Sequence, residues 1–276
     1  MAATVFKGVP AGSFLSLLVK NKGLSVMKVF VINLARSTDR RASIEQQLSR
    51  LNLDYEIVEA VDGSQLSYTD IMRETRPLNY ALSCGEIGCA LSHINIYRRI
   101  ASEGIPMALI LEDDALIDQK CVEVVSEIEQ RNIYSPTVTL LTEVSQYIDK
   151  FTCSLSNGRN IYDVLEASRS HGYVINQAAA KKLIEFLYPV WMVADRWQTL
   201  REYSICNIEA VIPPVISRSE HSETSTIQIH NNGSAWLDDK KLFIWDEIKK
   251  HRSFKIKLKR FIWTSFIYPF LKIKKF

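Results

Sequence analysis

The sequence predicts an α/β fold, a mostly parallel sheet flanked by helices with a mixed C-terminal part and a basic aromatic tail. Three observations carry that expectation. Strand-like apolar runs alternate with helix-spaced ones from residue 29 onward; one run, Met107-Ala108-Leu109-Ile110-Leu111, stops abruptly at Glu112-Asp113-Asp114; and the chain ends in a stretch dense in both bases and aromatics. A short apolar run preceded by a turn signal (Gly104, Pro106) reads as a buried strand of a parallel sheet. Three acids cannot follow it into the core, because each uncompensated buried charge costs several kcal/mol, roughly. They belong at the carboxyl end of the strand, facing water or a cation, on the edge where open α/β sheets bind ligands.

The 276 residues suffice for one large domain with appendages, and 47% hydrophobic content excludes a disordered chain. The five cysteines, Cys84, Cys89, Cys121, Cys153 and Cys206, are an odd number, and Cys84 and Cys89 lack a second pair or a nearby His, so a reducing, cytoplasmic setting is expected. The net charge of +3 hides an asymmetry. Ten of the 34 bases and none of the 31 acids lie in residues 249–276. An acidic body with a basic tail points to a negatively charged surface for the tail alone. Because Phe261, Trp263, Phe266, Tyr268 and Phe270 interleave with the bases, an interfacial membrane segment is favoured over nucleic acid. A core helix or an oligomer contact is the competing reading.

Residues 1–26 hold a short apolar patch broken by Ser16 and followed by Lys20 and Lys22, without a signal-peptide cleavage site, and are set aside as a leader. The domain then runs over residues 27–245, with 246–276 as a basic amphipathic segment. Residues 29–34 read as a strand, Ile44, Leu48 and Leu51 as a helix face, and residues 55–61 as a second strand ending at Asp62-Gly63, which makes a βαβ unit. Its first turn gathers Asn33, Arg36, Asp39, Arg40 and Arg41, bases placed to meet phosphate beside a helix N-terminus. No Gly-x-Gly-x-x-Gly occurs there, which disfavours the usual dinucleotide site. Residues 64–82 read as a loop with a short helix. Ser83-Cys84-Gly85-Glu86 fits a capping box opening a helix along Ile87, Leu91, Ile94 and Tyr97, with His93 one position off that stripe. Val122, Val125 and Ile128 mark a helix, residues 137–141 a strand, and residues 172–175 a strand feeding a helix over 177–187.

An acidic cluster after a strand is often only a turn or a helix cap. Clustered carboxylate oxygens also suit a hard cation, Mg²⁺ or Mn²⁺, that holds a diphosphate. Asp195, in Trp191-Met192-Val193-Ala194-Asp195-Arg196-Trp197, is an acid among apolar and aromatic neighbours, an environment that raises a carboxyl pKa and suits proton abstraction; a helix cap or a partner for Arg196 are the plainer meanings. His221 is a candidate metal ligand from the far side of a cleft.

Five ordered blocks of this sequence carry a family resemblance. They are Val31-Ile32-Asn33-Leu34 with Arg36-Ser37-Thr38-Asp39-Arg40-Arg41; Val58-Glu59-Ala60-Val61-Asp62-Gly63; Gly85-Glu86-Ile87-Gly88-Cys89-Ala90-Leu91-Ser92-His93; Leu109-Ile110-Leu111-Glu112-Asp113-Asp114; and His171-Gly172-Tyr173-Val174-Ile175. Together they resemble glycosyltransferase family 25, the bacterial lipopolysaccharide and lipooligosaccharide galactosyltransferases. The resemblance implies a GT-A-type, Rossmann-like fold, a nucleotide-sugar donor (most often UDP-galactose), Mn²⁺ or Mg²⁺, and inversion at the anomeric carbon. Taken together with the residue-level reading, it assigns Asn33, Arg36, Arg40, Glu59, Glu112 and Asp113 to the donor, Asp114 with Asp113 and His221 to the metal, and His93 and Tyr173 to the acceptor side. Asp195 is the expected general base, with Glu86 behind it. The motif opens with Glu112 where many GT-A enzymes carry Asp, which leaves the division of ribose and metal duties among the three acids open. UDP-glucose as donor, a metal-dependent phosphohydrolase and a non-catalytic nucleotide-sugar-binding protein are the alternatives. A lipooligosaccharide acceptor and the anionic cytoplasmic face of the inner membrane are the expected partners, without nucleic acid.

Overall fold

The computed structural model describes residues 27–219 and 235–275; the leader read over residues 1–26 and the ligand read at His221 lie outside them. Eleven strands and eight α-helices are described in chain order: β1 Lys28–Asn33, α1 Thr38–Arg50, β2 Tyr55–Glu59, α2 Tyr68–Glu74, α3 Cys84–Ser102, β3 Met107–Glu112, β4 Ala115–Ile117, α4 Cys121–Gln130, β5 Thr137–Leu140, β6 Gln146–Ser154, β7 Asn160–Glu166, β8 Gly172–Asn176, α5 Gln177–Leu187, α6 Trp197–Glu202, β9 Asn207–Ile212, β10 Ile216–Arg218, α7 Ala235–Lys250, α8 Phe254–Ile262 and β11 Ile273–Lys275.

Nine strands form one mixed sheet in the order β11-β6-β7-β9-β5-β8-β3-β1-β2. Strand β1 is parallel to both β2 and β3, and β5 is parallel to β9. Strand β8 runs antiparallel between β3 and β5, so β1, β2, β3, β5 and β9 all point the same way and end on one edge. Beyond β9 the sheet becomes an antiparallel meander, through β7 and β6 to β11. The mixed C-terminal part expected from the sequence corresponds to these antiparallel strands.

The twofold side-chain alternation of a strand divides the core into two layers. Phe30, Ile32, Ala108 and Ile110 face α3 and α5, packing with Ile87, Ile94, Tyr97 and Leu183. Val29, Val31, Leu109 and Leu111 face the other way, against Ile44 and Leu48 of α1 and Val124 and Ile128 of α4. Both faces of the central strands are thus covered, as their continuous apolar sequences require.

Helix α3 starts as its sequence dictates. The Ser83 hydroxyl accepts from the Glu86 amide (3.2 Å), and the Glu86 carboxylate accepts from the Ser83 amide (3.1 Å) and the Leu82 amide (2.9 Å). Its first turn is driven hard against the loop after β2. A Cβ on Gly88 would lie 2.5 Å from the Val61 carbonyl oxygen and 2.7 Å from the Gly63 nitrogen, both main-chain atoms unable to yield by rotation. Ser92 fastens the same seam: its hydroxyl accepts from the Val61 amide (2.8 Å) and donates to the Gly88 carbonyl (2.7 Å).

The boundary expected after residue 245 falls inside α7. Ile244 and Ile248 of this helix are buried in the main core. Helix α8 differs: Phe254, Leu258 and Phe261, one helical face, are all exposed. The segment is nevertheless tied down. Arg260 and Arg252 both pair with Glu202, the Arg201 guanidinium stacks 4.6 Å from the centre of the Trp263 ring, and β11 completes the sheet against β6.

Gly88→Ala is expected to lower unfolding free energy by about 1–3 kcal/mol, the usual cost of forcing atoms into a filled site. Urea denaturation followed by circular dichroism measures it, and an unchanged midpoint contradicts the close packing of Gly88 on residues 61–63.

Candidate active site

The carboxyl ends of β1, β2 and β3 and the N-terminus of α3 enclose a cavity of about 550 Å³, into which Arg36, Arg40, Asp62, Cys89, His93, Glu112, Asp113, Asp114 and Arg218 all reach. The acids that end β3 are compensated by the protein itself, a correction to the expectation that they face only water or a cation. Asp113, 7% exposed, accepts from the Asn33 amide (2.7 Å) and pairs with Arg40. Asp114, 6% exposed, accepts from Arg218 Nε (3.1 Å), with Arg40 at 3.9 Å. Glu112 accepts from the Ser170 hydroxyl (2.6 Å) and meets His93 Nε2 at 3.2 Å. Asp113 and Asp114 therefore share Arg40, while Glu112 is held separately by Ser170 and His93.

The pairings set the charge states. Burial pushes the Asp113 carboxyl up, and the Arg40 charge and Asn33 hydrogen bond offset this only in part. Burial acts the same way on Glu112, but the His93 contact and the Ser170 hydrogen bond outweigh it and hold this carboxyl below the usual range. Burial, followed by the nearby charges of Glu112, Asp195, Asp114 and Glu86, raises the Cys89 thiol.

One oxygen is left over. Asp114 Oδ1 is buried without a hydrogen-bond partner among the described residues, and Asp114 lines the cavity. Leaving such a group unsatisfied costs about 1–3 kcal/mol, and a carboxylate oxygen is the donor a hard divalent cation takes. Asp114 is the residue that would offer an oxygen to Mg²⁺ or Mn²⁺ at this wall of the cavity.

The remaining sequence candidates separate by position. Arg36 and Arg40 line the cavity. Asn33 is 3% exposed and instead tethers the motif, donating to Asp113 and to the Ser37 carbonyl (3.1 Å). Glu59 is exposed at the end of β2 and is not among the cavity's lining residues. Tyr173, with no exposed surface, does not face an acceptor: its hydroxyl lies 2.7 Å from His93 Nδ1 and 2.7 Å from the Tyr97 hydroxyl, behind the imidazole. Glu86 is engaged by its cap and by an ion pair with Lys241 of α7, and it is not among the cavity's lining residues.

Asp195 is not the N-cap of α6, a position that Arg196 holds. The Arg196 charge acts on Asp195 as a partly offsetting influence, while its guanidinium lies 4.8 Å from the ring centre of Tyr80 and 4.9 Å from that of Trp245. Burial first and the Glu112 charge second raise the Asp195 carboxyl from 3.8 to about 6. It does not line the cavity but stands within electrostatic reach of Glu112 and His93.

The sequence reading missed two features. It denied the first pair of cysteines a His partner, yet Cys89, His93 and Glu112 bring sulfur, nitrogen and oxygen atoms within 4.8 Å of one another. The i, i+4 spacing of Cys89 and His93 on one helix was the available signal. Arg218 reaches Asp114 from β10, which pairs with β4 just after the acidic motif; no local pattern marks that contact.

Comparisons with known proteins agree with this geometry. The family model described as Glycosyltransferase family 25 (LPS biosynthesis protein) matches residues 26–197, the stretch that holds the first three parallel strands, the acidic motif and Asp195. A glycosyltransferase 25 family member of Anopheles gambiae is 31% identical over 183 residues, 58% of this chain and 29% of that protein. Procollagen galactosyltransferase 2 of Homo sapiens is 26% identical over 181 residues, 57% of this chain and 27% of its own length. The lipooligosaccharide biosynthesis protein lic2B of Haemophilus influenzae is 26% identical over 163 residues, 56% of this chain and 61% of its own. The chain thus spans less than two thirds of each of these relatives. With the family model covering more than half of the chain, and the motif acids gathered at one cavity, this protein belongs to glycosyltransferase family 25.

Proposed function

We propose that the chain is an inverting hexosyltransferase that moves galactose from UDP-galactose to a sugar hydroxyl of a lipooligosaccharide or lipopolysaccharide acceptor, with Mn²⁺ or Mg²⁺ held through Asp114. The observation that carries the proposal is Asp114 Oδ1, buried and unpartnered among the described residues, beside a cavity that also holds three arginines and a helix N-terminus. Relatives whose names specify galactosyltransferase and lipooligosaccharide biosynthesis support the choice of sugar and acceptor.

The geometry suits a diphosphate. Arg36, Arg40 and Arg218 present guanidinium groups, and the first turn of α3, at Cys84 and Gly85, adds the positive end of a helix dipole. When bound, the divalent cation neutralises negative charge that collects on the departing diphosphate. Asp113 keeps Arg40 aligned, and Asn33 fixes Asp113 in turn. Glu112 is the proposed contact to the ribose side of the donor, poised by Ser170 and His93. Asp195 takes the proton of the attacking acceptor hydroxyl, the single base that an inverting displacement requires.

A second observation addresses location. Phe254, Phe261, Phe266 and Phe270 are 78%, 59%, 63% and 83% exposed, and Lys255, Lys257, Lys259 and Arg260 share their segment. Among the described residues no helix is long and apolar enough to cross a membrane. Exposed aromatics among bases suit shallow insertion into an anionic leaflet, and we propose peripheral attachment at the cytoplasmic face of a bacterial inner membrane.

A screen of nucleotide sugars with and without Mn²⁺, scored by transfer and by donor hydrolysis, is expected to select UDP-galactose and to require the metal. Asp114→Asn should then lose activity on the order of 100-fold or more while remaining folded; an undiminished rate removes the metal role. Phosphate release without sugar transfer would instead indicate a phosphohydrolase.

Asp195 acts as a base only when ionised, so kcat/KM should rise with pH through about 6 and level off above it. Asp195→Asn is expected to lower the rate by about 10²–10⁴-fold and to abolish that limb. Stability should move oppositely. A carboxyl raised in the folded state stabilises it fully below 3.8 and loses that contribution as pH climbs through about 6. The Asn variant should therefore gain on wild type across this window, read from urea midpoints at several pH values.

Replacing Phe254, Phe261, Phe266 and Phe270 together with Ser is expected to abolish co-flotation with phosphatidylglycerol vesicles, and to leave transfer to a soluble acceptor intact. Undiminished flotation counts against the attachment.

A further inference from the structure

We infer that Cys89, His93 and Glu112 form a binding site for one thiophilic divalent cation of the Zn²⁺ class, distinct from the oxygen site at Asp114. Cys89 and His93 lie one turn apart on α3, and Glu112 ends β3 opposite them, so all three ligands stand on regular elements. Sulfur, imidazole nitrogen and carboxylate oxygen lie within 4.8 Å of one another. Tetrahedral zinc with sulfur at about 2.3 Å and nitrogen or oxygen at about 2.0–2.2 Å spans such a group after small side-chain rotations. Among the described residues no other trio of His, Cys and carboxylate side chains converges in this way.

The surroundings match what a metal-binding imidazole needs. Tyr173 holds His93 Nδ1 at 2.7 Å, and Tyr97 holds Tyr173, which fixes the ring and leaves Nε2 as the atom turned toward Glu112. All three ligands line the open cavity, so an ion can enter and keep a fourth position for water or an anion. A thiolate and a carboxylate together neutralise a dication. The donor set also discriminates: sulfur with imidazole selects zinc-like ions, whereas Mg²⁺ and Mn²⁺ prefer oxygen alone. An ion seated here draws Glu112 away from Ser170 and stands inside the proposed donor cavity.

The test uses the full chain, reduced and metal-free, titrated with Co²⁺ as the probe. One equivalent is expected to bring sulfur-to-cobalt charge-transfer absorption in the near ultraviolet and visible bands of tetrahedral cobalt, both removed by Zn²⁺. Cys89→Ser should lose the charge-transfer band, and so should Cys89→Ala. Cys84→Ala, which removes the other thiol lining the cavity, should retain it, and so should Asp114→Asn. This last variant separates the inference from the transferase reading, since it is expected to lose transfer and keep the cobalt spectrum. Zn²⁺ should raise the Tm of wild type and not of Cys89→Ser. A wild-type spectrum without thiolate charge transfer, or one unchanged by Cys89→Ser, overturns the site.

Discussion

At the end of β3 the chain must place three acidic side chains where an apolar strand leaves the core, and the rest of the site is arranged around their compensation. Arg40 comes from α1, Arg218 from β10, His93 from α3 and Ser170 from the turn before β8. These are four separate parts of the chain, converging because each is fastened to the same sheet edge. The paired charges allow Asp113 and Asp114 to be nearly buried without the penalty of isolated ions. Among the described residues one pairing is left incomplete, at Asp114 Oδ1. A cavity rich in guanidinium groups, with one carboxylate oxygen at its wall unsatisfied among the described residues, is the arrangement on which the proposed transfer rests.

Much of this was legible in the sequence, because the governing rules are local. The apolar run 107–111, the helix spacing of Ile44 and Leu48, and the Ser83–Glu86 box each report a neighbourhood of a few residues, and the structure reproduces them. The raised pKa of Asp195 was likewise readable from the aromatic residues around it. What escaped depends on distant partners. Nothing near Glu86 in sequence announces Lys241, and nothing near Tyr173 announces that its hydroxyl is shared by His93 and Tyr97. The antiparallel insertion of β8 between two parallel strands is similarly a property of the whole sheet.

The C-terminal segment shows how one stretch divides between two environments. Its first helix contributes Ile244 and Ile248 to the core, and Arg252 is buried against Glu202. A few residues later the apolar side chains turn outward. The segment returns to the body at β11, so its exposed aromatics are held between two fixed points rather than on a free end.

Where α3 meets the loop after β2, contact is between peptide groups, with Gly88 against Val61 and Gly63. At Gly88 there is no side chain to rotate, and the Ser92 hydroxyl is bonded on both sides of the seam, so the junction adapts little to a ligand of different shape. That wall of the cavity behaves as a fixed template. Divergence in what the pocket accepts falls to the facing side, where long, jointed side chains such as Arg36, Arg40 and Arg218 can be repositioned or exchanged one at a time.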